Sequence, residues 1–185
     1  MDITEIEQRI KRALDKKRYE HSLGVANEAR EMALRLGADE DKAYLAGLLH
    51  DCAKCMSMEE YKALSLKYNV EIDDITLNCP PVIHAPIGAA VAEYEYNITD
   101  SEILDAIRYH TVARENMTLL DKIIYLADMT EPGRDFEGVD EIRALAALDI
   151  LNAYKRAVAR SLIYNISKGK TVHPNTLYAW NELCK

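Results

Sequence analysis

Apolar residues recur along most of the chain at helical spacing, and the alternating runs typical of strands are hard to find. The N-terminus carries one such apolar stripe, formed by Ile3, Ile6, Ile10 and Leu14. A second helix is predicted from about Arg18 to Leu36, ending before Gly37. The run AYLAGLLHDCAK is apolar almost all round, which is typical of a helix in the centre of a bundle. We therefore predict an all-α fold.

Start and stop signals place the remaining helices. Two Thr residues, each followed by an acidic residue three positions later, form predicted capping boxes at Thr99 and Thr118. The paired prolines of NCPP are expected to close the segment after the fourth helix, and Gly169 is expected to end the last long helix. Helices are thus predicted over Met58–Tyr68, after Pro86, from Thr99 to about His110, from Thr118 to the loop EPGRDFEG, and over Val139–Ser167.

The length of 185 residues suits one domain that buries its own core without disulfides. We predict a single compact helical bundle over residues 1–185, with a central part at about 19–149. An N-terminal helix at 3–17 and a C-terminal segment at 170–185, which contains Trp180, are expected to pack onto that part.

The net charge and the cysteines limit which binding partners and which cellular compartment are expected. The 23 Lys and Arg residues against 31 Asp and Glu residues give a net charge of −8, which argues against a nucleic-acid partner. The longest uncharged stretch, 75–92, is interrupted by prolines, Asn78 and His84, so no membrane partner is expected. The N-terminus lacks the apolar segment of a secretory signal. We expect a cytoplasmic protein whose four cysteines are reduced.

Histidines and aspartates beside predicted apolar helices are the candidates for metal binding and catalysis. The doublet His50 and Asp51 directly follows two leucines at the end of the most apolar predicted helix. A carboxylate buried there must be paired, hydrogen-bonded or bound to a cation, and a metal ion would satisfy both residues. Asp128 ends the apolar run IIYLAD, and its carboxylate needs a partner for the same reason if it is buried. Three more histidines lie on or beside predicted apolar helices, namely His21, His84 and His110, whereas His173 lies in a polar loop.

Imidazole and carboxylate ligands without thiolates suit divalent iron, manganese or zinc at a hydrolytic centre. Four histidines and two aspartates exceed the needs of one ion. They would suit two ions that share a bridging carboxylate and keep positions open for water and substrate. The sequence has no glycine-rich dinucleotide fingerprint and no GxxxxGK loop, so phosphate binding by those routes is excluded.

The order of these residues resembles a known family pattern. His21, then LLHDCAK with its doublet, then Asp128 resemble the metal-dependent phosphohydrolases of the HD domain, and the intervening His84 and His110 resemble the dinuclear subset. The stretches LLHDCAK, VIHAPIGA, AIRYHT, RENM, DKIIYLAD and EPGRDFEGV together resemble the YqeK family, over about Tyr19 to Asp149. Members of this family are symmetrical diadenosine tetraphosphate hydrolases.

The resemblance implies two divalent metal ions, iron by expectation, with manganese or another divalent ion as the alternative. One ion would be held by His21, His50, Asp51 and Asp128. Asp51 would bridge to a second ion, held also by His84 and His110. A metal-activated water would then cut the tetraphosphate in its middle and release two ADP.

Three cations near these ligands are predicted to bind phosphate oxygens of a nucleotide substrate: Lys54, Arg114 and Arg134. Asp51, Lys54, His110 and Arg134 are the predicted catalytic residues. The base pocket stays unassigned, with candidates to flank a base in Tyr19, Tyr109 and Tyr125.

Several alternatives remain open at this point. The same site would suit another nucleotide, such as a nucleoside di- or triphosphate, an alarmone or a monophosphate, or it would serve a metal- or nucleotide-binding sensor module. The pair Cys52 and Cys55 is interpreted as two reduced thiols packed on a helix rather than as a redox or zinc site. A homodimer is compatible with the sequence, with contacts at the N-terminal stripe or around Trp180.

Overall fold

A computed structural model describes residues 2–185 and, within that range, contains eleven helices and no strand. This confirms the predicted all-α class. The helices are α1 (Ile3–Ala13), α2 (Lys16–Leu36), α3 (Glu40–Leu49), α4 (Met58–Tyr68), α5 (Asp74–Leu77), α6 (Pro80–Tyr96), α7 (Ser101–Tyr109), α8 (Leu119–Thr130), α9 (Val139–Leu148), α10 (Ile150–Ser167) and α11 (Pro174–Leu183).

The centre of the bundle is built where α2, α3, α7 and α8 pack on one another. Small residues bring α2 and α3 unusually close, because a Cβ added at Gly47 would lie 2.8 Å from the Cα of Ala26. The apolar run predicted to be central is α3, and its Leu48 and Leu49 are fully buried. The close approach matters for function, since α2 and α3 carry the first predicted ligands, His21 and His50.

Two predicted helix starts are wrong. The helix expected after Pro86 begins at Pro80, because prolines are well tolerated in the first turn, where the backbone N–H has no helical partner. Pro86 lies inside this helix, so NCPP opens α6 rather than closing a segment. The next helix is capped by Asp100 rather than Thr99, and the Asp100 carboxylate accepts from the backbone N–H of Glu102 at 2.9 Å.

The predicted long helix at 139–167 is in fact two helices. Asp149 adopts an extended conformation, with φ −152° and ψ 98°, and its carboxylate caps α10 by accepting from two backbone N–H groups. The C-terminal segment around Trp180 forms α11. The central helix α3 ends at Leu49, so Cys52 and Cys55 lie in turns rather than on a helix, although all four cysteines are free.

The N-terminal helix α1 and the C-terminal helix α11 both pack against other parts of the same chain. Ile6 and Ile10 of α1 are buried in the core, and α11 packs on α10, with Trp180 half-buried beside Lys155. The homodimer and the boundaries of the central part stay predictions. Among the helices of residues 2–185, none combines the length and the apolar character needed to cross a bilayer.

Candidate metal centre

Five helices bring the six predicted ligands to one place in the bundle. His21 lies in the second turn of α2, His84 lies on α6, and Asp128 lies in the last turn of α8. His50 and His110 end α3 and α7 as C-caps, and Asp51 directly follows His50. We call these six residues the histidine–aspartate cluster. Their individual roles as ligands stay a prediction.

Asp51 lies at the centre of the cluster, and its two carboxylate oxygens face different histidines. Oδ2 lies 3.8 Å from Nε2 of His21 and 3.5 Å from Nε2 of His50. Oδ1 lies 3.0 Å from Nε2 of His84 and 3.6 Å from Nε2 of His110. Each oxygen therefore faces one pair of imidazole nitrogens, as a carboxylate that bridges two ions must do.

Asp128 completes the first of these two groups. Its Oδ1 lies 3.1 Å from Nε2 of His21 and 3.8 Å from Nε2 of His50. Metal bonds to imidazole nitrogen and carboxylate oxygen are about 2.0–2.2 Å long, so ligand atoms around one ion lie 3–4 Å apart. The potential ligand atoms form three triads, in each of which they all lie within 4.8 Å of one another: His21, His50 and Asp51; His50, His110 and Asp128; and Asp51, His84 and His110.

Hydrogen bonds fix which nitrogen three of the histidines present to the cluster. Nδ1 of His50 donates to the carbonyl of Gly47 at 2.6 Å, and Nδ1 of His110 donates to the carbonyl of Ile107 at 2.7 Å. Nδ1 of His21 donates to the Glu131 carboxylate at 3.0 Å. Because carbonyls and carboxylates only accept, the proton lies on Nδ1 and the lone pair of Nε2 faces the cluster.

Most residues of the cluster are buried, so a polar atom without a partner is energetically costly there. Asp51 is 2% exposed and His50 is fully buried. Nevertheless Oδ1 of Asp51 and Nε2 of His50 have no hydrogen-bond partner among the described residues. A buried polar atom without a partner is costly, and a cation bound between these atoms would satisfy both. The donor atoms that are present therefore fit a divalent metal ion.

The charges of the cluster favour the same conclusion. Burial acts to raise the pKa of Asp51, but the charge of His50 and the closeness of the other histidines hold that pKa below its usual range. Asp128 is affected in the same sense, since the closeness of His21 and the charges of His50 and Arg134 together outweigh burial and lower its pKa. Burial lowers the pKa of His84 to about 3, whereas the charge of Asp51 raises the pKa of His50 against the effect of burial. The cluster thus attracts positive charge, as a proton on His50 or as a metal ion.

Two of the three predicted phosphate-binding cations lie at the cluster. Nζ of Lys54 lies 3.0 Å from Nε2 of His84 and 3.6 Å from Oδ1 of Asp51. The Arg134 guanidinium pairs with the Asp128 carboxylate and also donates to the Asp128 carbonyl at 2.6 Å.

Arg114 lies elsewhere in the bundle. Its guanidinium donates to Asp105 at 3.1 Å and to buried Asp121 at 3.0 Å, and it stacks over the ring of Tyr109. Its part in substrate binding stays a prediction that no contact supports. The same contact takes up one face of Tyr109, one of the three candidates to flank a base.

Two residues at the cluster were missed by the sequence analysis. Nη1 of Arg18 donates to Oδ2 of Asp51 at 2.6 Å, and Glu131 is the acceptor for His21. A signal existed for Arg18, because it precedes His21 by three residues and so shares its helix face. Glu131 follows Asp128 by three residues, at the start of the loop EPGRDFEG, and only tertiary packing brings it to His21.

Two cavities border the cluster at different residues and have no lining residue in common. The smaller, of about 290 Å³, is bordered by His110 and Asp128 and is lined further by residues such as Val82, Tyr125, Met129 and Asn165. The larger, of about 790 Å³, is a cleft bordered by His21, with Arg18, Arg134 and Phe136 among its lining residues. Of the three tyrosine candidates, Tyr125 lines the smaller cavity, and the other two line neither.

Comparison with known proteins gives close relatives over almost the full length. A symmetrical bis(5'-nucleosyl)-tetraphosphatase of Bacillus subtilis is 41% identical over 94% of this chain and 93% of the relative. A protein of the same name from Halalkalibacterium halodurans is 38% identical over 95% of this chain and 94% of the relative.

A solved structure is similarly close. A Clostridium acetobutylicum protein, described as a "predicted HD superfamily hydrolase involved in NAD metabolism", superposes with a TM-score of 0.95 at 38% identity. The match covers all of this chain and 97% of that protein. The family model of the HD domain matches residues 18–133, a range that contains all six residues of the cluster. The chain therefore belongs to the HD domain family.

Proposed function

We propose that the protein is a symmetrical diadenosine tetraphosphate hydrolase that releases two ADP at a dinuclear metal centre. The observation that carries the proposal is the Asp51 carboxylate, whose oxygens each face a separate pair of histidines. The two curated relatives, at 41% and 38% identity, are named for this activity. The proposal also accounts for the orphaned buried atoms of His50 and Asp51.

Two sets of donor atoms would hold the ions. The first set is His21, His50, Asp128 and Oδ2 of Asp51, and the second is His84, His110 and Oδ1 of Asp51. Divalent ions bound there supply Lewis acidity towards the phosphate oxygens and the attacking water. We propose iron as the metal, as the family resemblance implies, with manganese or another divalent ion as the alternative. Imidazole and carboxylate donors without a thiolate suit all of these ions.

The cations of the cluster give the polyphosphate its binding site. The chain has a net charge of −8, so a polyanion is drawn to the site only by a local concentration of positive groups. Arg18, Lys54 and Arg134 supply them, and each side chain is about a third exposed beside a buried or half-buried carboxylate. With the carboxylates bound to metal ions, these three side chains would be free to donate to equatorial phosphate oxygens as negative charge develops.

The two cavities give room for the two ends of the substrate. We infer that one nucleoside lies in the 290 Å³ cavity, between the apolar side chains of Val82 and Met129 and beside the amide of Asn165. The other half would extend into the cleft beside His21, where Phe136 offers an aromatic surface. A cluster bordered by two cavities gives room for a substrate that carries a nucleoside on each side of the cleaved bond.

Product identification tests the proposed activity. The protein is purified anaerobically, its metals are counted, and it is incubated with diadenosine tetraphosphate before chromatography of the nucleotides. We expect ADP as the only product and about two ions per chain. ATP together with AMP would contradict symmetrical cleavage, and intact substrate in the presence of bound metal would contradict the assigned substrate.

NAD serves as the control substrate in the same assay. It also joins two nucleosides through phosphates, and the solved relative from Clostridium acetobutylicum is described as involved in NAD metabolism. Cleavage of NAD to two mononucleotides at a comparable rate would show that the site selects two-ended nucleotides rather than the tetraphosphate. We also propose a cytoplasmic location, in which the four free cysteines would stay reduced, and cell fractionation would test this.

A further inference from the structure

Glu131 is a buried carboxylate that makes no direct contact with the proposed position of either ion. It is 5% exposed and caps the end of α8. Its Oε1 accepts from Nδ1 of His21 at 3.0 Å, and its Oε2 accepts from the backbone N–H of Gly133 at 2.6 Å. Both carboxylate oxygens are therefore committed to contacts that define the orientation of the group.

Two glycines make the room in which this carboxylate lies. A Cβ added at Gly24 would lie 2.8 Å from Oε2, and a Cβ added at Gly133 would lie 3.0 Å from both oxygens. Real Cβ atoms essentially never approach an atom within 3.0 Å, so the carboxylate would have to move. Gly24 follows His21 by three residues, so one face of α2 carries the histidine together with the space for its partner.

The main chain around Glu131 is held as firmly as its side chain. Arg143 of α9 donates to three backbone carbonyls at the end of α8 and in the loop after it: Thr130 at 3.0 Å, Glu131 at 3.1 Å and Arg134 at 2.8 Å. The backbone N–H of Glu131 still completes the last turn of α8 through Ala127 at 2.9 Å. The loop is thus fixed independently of His21.

His21 needs such an outside partner because of its place in the fold. His50 and His110 end their helices, where backbone carbonyls have no helical partner and accept from Nδ1. His21 lies near the start of the long helix α2, where the neighbouring carbonyls are used by the helix itself. An acceptor for its Nδ1 must therefore come from another element.

We propose that Glu131 is a positioning residue that aims Nε2 of His21 at Asp51 and Asp128 and thereby sets the affinity of one of the two metal sites. A carboxylate on the far nitrogen fixes the ring orientation and strengthens the imidazole as a donor. This inference rests on the metal centre of the proposed function. It goes beyond it by predicting that one site depends on Glu131 and the other does not.

The test measures metal binding rather than turnover. Mn²⁺ is titrated anaerobically into metal-free protein by calorimetry, for the wild type and for Glu131→Gln. We expect one of the two Mn²⁺ sites to weaken by roughly 10–100-fold and the other to stay unchanged. Glu131→Ala should weaken the same site further, because Gln retains one acceptor oxygen and Ala retains none.

Two further variants separate positioning from general damage. Gly24→Ala leaves Glu131 intact but places a methyl group against its carboxylate, so it should weaken the same Mn²⁺ site. Alanine is favourable within a helix, so the melting temperature of the metal-free protein should not fall. Glu137→Gln, at an exposed glutamate of the same loop, is the matched control and should bind Mn²⁺ as the wild type does.

The outcomes distinguish this proposal from the proposed function. Unchanged binding at both sites in Glu131→Gln, or equal weakening of both, would overturn the positioning role. A wild-type chain that binds no Mn²⁺ would overturn the positioning role and the metal centre together. A wild-type chain that binds two Mn²⁺ but does not cleave diadenosine tetraphosphate would overturn only the proposed substrate.

Discussion

The two halves of the histidine–aspartate cluster use the same residue types but differ in charge and in support. The half around His21 and His50 has two carboxylates, Asp51 and Asp128, and both of its histidines have a fixed acceptor on Nδ1. The half around His84 and His110 shares only Oδ1 of Asp51, and of its two histidines only His110 donates from Nδ1 to a carbonyl.

This difference predicts two metal sites of unequal strength. A second carboxylate neutralises more of the charge of a bound divalent cation. Imidazoles that are already held by hydrogen bonds lose less side-chain freedom on binding. Both features increase the affinity of a site for such a cation. Each half also contains side-chain cations beside its donor atoms, namely Lys54 beside His84 in one half, and Arg18 and Arg134 beside Asp51 and Asp128 in the other, so the unequal number of carboxylates decides the order. We expect the half with Asp128 to fill first.

Asp51→Asn should have the largest effect, because it removes the charge that both halves share. Loss of one partner from a buried charged group costs about 3–5 kcal/mol, or roughly 10²–10⁴-fold in affinity. Both ions should be lost on dialysis, and hydrolysis should fall to background. Metal analysis and product chromatography measure the two effects, with circular dichroism as the control for folding. One ion retained at full occupancy would contradict the bridging geometry.

His84→Gln and Asp128→Asn form a matched pair that separates the halves. His84→Gln should keep about one ion per chain, because the half with two carboxylates stays complete. Asp128→Asn should weaken the stronger site by roughly 10–100-fold, so that the two affinities become similar. Anaerobic Mn²⁺ titration of each variant measures this. If His84→Gln loses both ions together, the two halves are one cooperative site rather than two unequal ones.

Arg134→Ala and Arg114→Ala should have the smallest effects, and these should differ in kind. Arg134 is proposed to donate to a phosphate oxygen, so its loss should raise KM for diadenosine tetraphosphate by roughly 10-fold, about the value of one charge-assisted hydrogen bond. Arg114→Ala should leave KM unchanged but lower the free energy of unfolding by about 1–3 kcal/mol, because buried Asp121 loses its cationic partner. Steady-state kinetics measure KM, and urea unfolding measures the free energy of unfolding. A raised KM in Arg114→Ala would show that Arg114 does contribute to substrate binding.

The sequence was sufficient for the helical class and for the residues of the cluster. The reason is physical, since His50, Asp51 and Asp128 interrupt apolar runs that must be buried, and such interruptions are visible without a structure. The break at Asp149 was not predictable from spacing, because apolar residues continue on both sides of it. The start of α6 was misjudged because proline is read as a helix breaker, although it is favourable in a first turn.

The residues that support the cluster are harder to recognise in the sequence than the six residues of the cluster themselves. Glu131 and Arg143 act through contacts between elements far apart in the sequence, and each is an ordinary charged residue in its local context. The room for Glu131 depends on Gly24, whose position inside a helix looks unfavourable when the sequence alone is considered. Such residues become informative only when the packing of α2 against α8 is known.

The three carbonyls held by Arg143 also determine how this side of the molecule moves. Hydrogen bonds to a charged donor contribute about 1.5–3 kcal/mol each, so the loop after α8 opens only when several of them break at once. Its amide protons should therefore exchange slowly with solvent, on the timescale of sub-global unfolding rather than of loop fluctuation. We therefore expect the wall of the cleft beside His21 to be a fixed surface, and the proposed nucleotide substrate to enter and leave past it without waiting for a lid to open.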